Sequence, residues 1–134
     1  MKEKNIGLLA GAIPAAAAIG FAFLLPEKNV LDFFTILLAC ISAVYIGFSF
    51  SNPESKRDVV IELANITLYL ALLLLSIMVT PYFLIAGYFW HGVWDAIHHE
   101  KLRLVKTRVP EWYIFCCMVF DWAVGLFLVW WVSL

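Results

Sequence analysis

An all-α integral membrane bundle of five transmembrane helices, with the N-terminus cytoplasmic, is the fold this sequence predicts. The first observation behind it is composition. Of 134 residues, 64% are hydrophobic, and the mean hydropathy is +0.92. A soluble chain of this length leaves too much surface in water to hide so much apolar side chain. The second is length: five apolar stretches, at about 6–25, 30–50, 59–79, 82–98 and 111–133, approach the roughly 20 residues that cross ~30 Å of hydrocarbon. The third is charge. Lys2 and Lys4, Lys56 and Arg57, and Lys101, Arg103, Lys106 and Arg108 fall in alternate connections, against Lys28 alone on the other side. Such a bias places the basic connections in the cytoplasm and requires an odd number of spans. Residues 1–134 therefore read as a single transmembrane helical domain in an inner or plasma membrane.

The elements follow in order. Lys2 and Lys4 before an apolar run containing Ala15–Ala18 have the general look of an export signal. The length of the run, and the equal apolarity of the rest, make it a retained first helix with a bend at Gly11 and Pro14. Asn29 with Asp32 resembles a capping box opening the second helix. Asn52-Pro53 and Thr80-Pro81 each place a capping residue before a proline suited to the first helical position. Pro110-Glu111 opens the fifth helix with an acid in its first turn. Glu3, Glu27, Asp58 and Glu100 are assigned to loops or interfaces. Connections are short, so sequential neighbours should pack antiparallel. Gly7, Gly11 and Gly20 on the first helix, and Gly87 and Gly92 on the fourth, would allow close approach. The six tryptophans fall mostly near expected interfaces, as an aromatic belt. Cys40, Cys116 and Cys117 lie in spans without zinc or redox spacing and read as buried small hydrophobes.

After that subtraction Glu62, Asp95 and Asp121 lack an ordinary explanation, and all three histidines lie close by in Y88-F-W-H-G-V-W-D-A-I-H-H-E-K101. Ionisable groups at membrane depth are costly and mark function. At 100° per residue, His91, Asp95, His98 and His99 share one arc of the fourth helix. By helical rise, His91 lies at the level of Asp121, and Glu62 near that of Asp95 and His98. Glu62, Asn65 and Tyr69 form a stripe on the third helix. Tyr113, Cys117 and Asp121 form one on the fifth, and Ser42, Tyr45 and Ser49 one on the second. Four helices thus aim polar groups at one pocket in the cytoplasmic half.

Three readings compete for that pocket. In a metal site, His91, Asp95, His98, His99 and Asp121 are candidate ligands for zinc or iron. Glu62 and Asp121 are then candidate catalytic groups, with Tyr45, Asn65, Tyr113 and Cys117 as hydrogen-bonding support. In a metal-free network, His91–Asp121 and Asp95–His98 pairs hold helices together or carry protons. Haem ligation ranks last, because every histidine comes from one helix.

The segments GYFWHGVWDAIHH, VPEWYIFC and FDWAVG, with YIGF upstream, resemble an uncharacterised family of small bacterial and fungal multi-spanning proteins. The likeness covers most of the chain from Tyr45 onward and centres on HGxWDxxHH. It implies a membrane fold and no mechanism. A shorter likeness, to the Brp/Blh-type membrane β-carotene dioxygenases, rests on a GxxDxxH pattern matched by Gly92, Asp95 and His98 or His99. Those enzymes hold iron through histidines of several helices, whereas this chain concentrates its histidines on one. The expectation is a metal-dependent enzyme, a hydrolase or an oxygenase, acting on a lipid or isoprenoid-like molecule in the cytoplasmic leaflet. The alternative is a proton or ion transporter or an assembly subunit. The external halves of the helices carry almost no ionisable residue, which disfavours transport. Membrane lipids and a lipophilic small molecule are the expected partners, self-association is compatible with the size, and no nucleic acid is expected.

Overall fold

Prolines and one serine cap set the helix boundaries in the computed structural model, which describes residues 2–51, 55–99, 102 and 104–134, with side chains from Lys4 onward. Five α-helices and no strand occur among the described residues: α1 (Lys2–Ala22), α2 (Glu27–Ser51), α3 (Lys56–Met78), α4 (Tyr82–His98) and α5 (Glu111–Val132). α1 runs unbroken through Pro14. Pro26 ends the turn that follows, and its carbonyl accepts the Asn29 N–H at 2.8 Å. α2 therefore begins at Glu27. Asn29 and Asp32 lie inside it and form no capping box at its start. Glu27, expected in a loop, sits in the first turn, where a carboxylate complements the helix dipole.

Ser55 caps α3: its hydroxyl accepts the Asp58 N–H at 3.2 Å. Asp58, also expected in a loop, is buried in that first turn and accepts the Lys106 N–H at 3.3 Å. The expected Asn52-Pro53 start, Glu54, Glu100, Lys101, Arg103 and the side chains of Lys2 and Glu3 lie outside the described residues. Thr80 does not cap α4; its N–H closes α3 by donating to the Leu75 carbonyl at 3.2 Å. Pro81 takes the cap position, with no side-chain hydrogen bond. Pro110-Glu111 opens α5 as expected.

Helix directions follow from which residues meet. A Cβ on Gly7 would strike Trp112 and Phe115, and one on Gly11 would strike Cys116 and Val119. α1 and α5 thus run parallel along a Gly7-Gly11-Ala15 stripe of small residues. Phe34 with Tyr88 and Tyr45 with Asp95 make α2 and α4 parallel. Asn65 with Trp90 and Glu62 with His98 set α3 against α4 in the opposite sense. The odd helices run one way and the even ones the other, so the 17-residue α4 returns the chain to the end of the bundle where α3 begins.

The packing order is α1–α5–α4–α3–α2, with α2 also touching α4. Sequential antiparallel packing thus fails at one place. α1 lies along α5, because its small-residue stripe admits the α5 backbone at close range. Gly20, expected to serve the same purpose, has nothing near it. Nine of the 17 residues of α4 are buried, which makes it the central helix.

The outer surface carries Leu24 and Met78 at 79% exposure and Ile13 and Ile77 at 67%, an apolar coat that suits lipid rather than water. Among the described residues, four helices are long and apolar enough to cross a membrane: Lys4–Ala22, Glu27–Ser51, Lys56–Met78 and Glu111–Val132. Inside, the bundle divides in two. Phe34, Leu38, Leu84, Tyr88, Val124 and Leu128 fill one half. The other half is polar, and Val105 of the connection after α4 covers it by packing with Tyr45 and Trp94.

Candidate functional site

The polar half is built on α4. Successive turns of this helix present His91, Asp95 and His98 to α5, α2 and α3, and all three side chains are buried. The His91 Nδ1–H donates to Asp121 Oδ2 on α5 at 2.7 Å, with both residues fully buried. Asp95 Oδ2 lies 3.4 Å from the same nitrogen. The other Asp95 oxygen accepts the Tyr45 hydroxyl from α2. Among the described residues, His91 Nε2, Asp95 Oδ2 and Asp121 Oδ1 have no hydrogen-bond partner. Gly92 lets α5 come this close: a Cβ there would overlap the Trp122 indole and come within 3.6 Å of the Asp121 Cβ.

His91, Asp95 and Asp121 could hold a metal ion, since each offers one ligand atom and the three atoms lie within 4.8 Å of one another. Charge permits the fit. Two buried carboxyl groups face one imidazole; with both ionised, a divalent cation would bring the group to neutrality, as would a shared proton together with an imidazolium. The donor set is one imidazole and two carboxyl groups, and the expected ligands His98 and His99 are not part of it.

His98 is turned elsewhere. Its Nδ1–H donates to the Trp94 carbonyl at 2.9 Å, and a carbonyl only accepts, so that nitrogen carries hydrogen. Its Nε2 stands 2.7 Å from Glu62 Oε1, and the Trp94 indole N–H donates to Glu62 Oε2 at 3.1 Å. One proton lies between Glu62 and His98, and the pair is neutral whichever partner holds it. It needs no further cation. Tyr45 separates the two groups, its ring centroid 5.6 Å from that of His91 and 5.1 Å from that of His98.

His99 caps the C-terminus of α4 near the bundle end, with Nε2 3.4 Å from Glu111 Oε1 and its ring edge-on to Phe115. Asn65 accepts the Trp90 indole N–H at 2.8 Å. Tyr113 packs edge-on against Phe48. Cys117 is buried one turn before Asp121, Cys116 is half-buried, and Cys40 is exposed on the apolar surface rather than buried. Trp94, assigned to an interfacial belt, is instead buried at the Glu62–His98 pair. Its i,i+4 spacing to His98 was the available indication. Tyr69 was legible only as part of a stripe, yet its ring lies 5.2 Å from His91.

Among the described residues, an all-helical fold with four membrane-length apolar helices and a buried His/Asp cluster is the class that fold and site define. Over residues 6–133 the chain matches a family of unknown function, DUF6010, and it belongs to that family. The match agrees with the expected uncharacterised family and carries nothing for the dioxygenase likeness. Neither a curated protein nor a solved structure matches the chain significantly.

Proposed function

We propose that this protein is a metal-dependent enzyme of a cytoplasm-facing membrane leaflet, with His91, Asp95 and Asp121 as the residues that hold the metal and a lipid or isoprenoid-like molecule as substrate. The observation that carries the reading is the convergence of two fully buried carboxyl groups on one fully buried imidazole, each of the three with an unpartnered polar atom among the described residues. Zinc or iron bound there would supply Lewis acidity toward water or a substrate oxygen, and iron also oxygen chemistry. A metal held by all three residues would replace the proton now between His91 and Asp121, and Tyr45 fixes Asp95. The Glu62–His98 pair holds a transferable proton one helical turn from the cluster. An apolar groove of about 310 Å³ between α2 and α5 opens to the bilayer side, with Leu37, Ile41, Val44 and Phe120 in its walls and Cys117 one turn from Asp121. It suits an apolar substrate. In this reading all five helices span, and the described basic residues Lys4, Lys56, Arg57, Lys106 and Arg108 mark the cytoplasmic end.

Elemental analysis of the detergent-purified protein tests it. A near-stoichiometric transition metal in the wild type, lost in His91→Ala and Asp121→Asn, supports the reading. A folded wild type that takes up neither zinc nor iron overturns it. That second outcome selects the other reading, which the already complete 2.7 Å His91–Asp121 hydrogen bond favours: a non-enzymatic transporter or assembly subunit with a buried polar network.

A further inference from the structure

A hydrogen-bond ladder crosses from α4 to α3 beside the His/Asp cluster. It begins at the Trp90 indole, whose N–H donates to Asn65 Oδ1 at 2.8 Å. That leaves the amide nitrogen of Asn65 for Tyr69, one helical turn on, and it donates to the phenol oxygen. The donors of the ladder therefore all point the same way, from Trp90 toward Tyr69. Tyr69 is buried at 1% exposure. Its ring centroid lies 5.2 Å from that of His91, and Asp95 and Asp121 are within electrostatic reach of its hydroxyl. The hydroxyl hydrogen itself has no acceptor among the described residues. A ladder that only braced α3 against α4 would be complete at Asn65. This one ends on an unspent buried donor, which is costly unless something accepts from it.

From this geometry we infer that Tyr69 is a hydrogen-bond donor to the non-protein oxygen held at the His91, Asp95 and Asp121 cluster, a water or the oxygen of a substrate head, and that Asn65 is its positioning residue. The inference rests on the metal reading above. Three protein ligands leave a fourth position for such an oxygen, and the carboxyl groups around it, once ionised, only accept. A donor has to come from elsewhere. Tyr45 cannot serve, because its hydroxyl is spent on Asp95. The Trp94 indole and the Nδ1–H of His98 are spent on Glu62 and on the Trp94 carbonyl. Tyr69 has its donor left over. Asn65 holds the phenol oxygen from one side, so the hydroxyl hydrogen turns to the other. A donor fixed in this way is worth most on an oxygen that gains negative charge during a reaction, because it needs no reorganisation at that moment.

The test uses cobalt(II) as the metal and azide as a small anionic probe, on the detergent-purified protein. Elemental analysis and chelator competition read cobalt content and affinity, and the visible absorption of the bound cobalt reads azide binding. Tyr69→Phe keeps the ring against His91 and should leave cobalt stoichiometry at the wild-type value. Its azide affinity should fall about tenfold or more, as expected for loss of one hydrogen bond to a charged group. Asn65→Ala should weaken azide in the same direction. Added to Tyr69→Phe it should weaken azide no further, because it acts through the phenol, whereas two independent structural defects would add. Asn65→Ala alone supplies the test if Tyr69→Phe does not fold. Equal azide affinity in cobalt-loaded wild type and variant would overturn the assignment and leave the metal reading in place. So would a cobalt spectrum that azide moves in neither. A folded wild type that takes up no cobalt, zinc or iron would overturn the metal reading and the assignment with it.

Discussion

Glu62 and His98 illustrate how a buried pair is best tested at the residue scale. Each is satisfied by the other and by Trp94, and neither reaches the surface. Glu62→Ala leaves the imidazole with an unmatched nitrogen in a dry interior and should cost about 3–5 kcal/mol, the usual penalty for breaking a buried pair. The double variant Glu62→Leu/His98→Leu should lose much less. Denaturant unfolding in detergent compares them, and a double variant as unstable as the single would refute the pair's closure. Tyr45→Phe acts differently. It strips the donor from Asp95 and should weaken metal binding about 10–100-fold, as removal of a ligand's supporting hydrogen bond does. Competitive chelator titration reads that change. An unaltered affinity would mean Asp95 is held without Tyr45.

At the scale of elements, small residues decide which helices touch. Gly11 faces the α5 backbone at Cys116, a neighbour that cannot swing aside, whereas Gly20 faces open space. Gly11→Leu should separate α1 from α5 and lower the melting temperature in detergent, by the equivalent of about 1–3 kcal/mol or more. Gly20→Leu should leave it unchanged. Equal effects would contradict the packing order. At the other end of the chain's logic, Ser55→Ala removes the cap of α3, at a cost of about 1 kcal/mol. It also frees Asp58, which bridges to the connection that covers the polar half. Limited proteolysis near residues 104–110 should therefore rise in Ser55→Ala before global unfolding does.

For the whole molecule, the alternation of helix directions puts the starts of α1, α3 and α5 at one end, together with the described basic residues Lys4, Lys56, Arg57, Lys106 and Arg108. Lys28 lies at the other. Single cysteines introduced for Lys4 and Lys106 in a cysteine-free background should react with a membrane-impermeant thiol reagent only after the membrane is opened. A cysteine for Leu134 should react in intact cells. Opposite labelling at Lys4 and Lys106 would exclude the parallel arrangement of α1 and α5 across the bilayer.

Apolar stretch length and charge bias were enough, read along the chain, to indicate helices and their number, because both depend on local sequence alone. The shared level of His91 and Asp121 was legible for a related reason: helical rise is constant, so depth can be counted from the nearest connection. What the sequence could not decide was partnership. Asp95 meets Tyr45 rather than His98, and His98 meets Glu62, because side-chain pairing depends on the rotation of each helix about its axis, which packing sets. Helix starts also shifted, as at Thr80, where Pro81 rather than the threonine takes the cap position of α4. The sequence by itself determined an apolar five-helix chain with its ionisable residues gathered toward one end. Only the tertiary structure decided that one imidazole and two carboxyl groups form one buried cluster while a neutral Glu–His pair stands beside it, since charge balance in a dry interior depends on which groups touch.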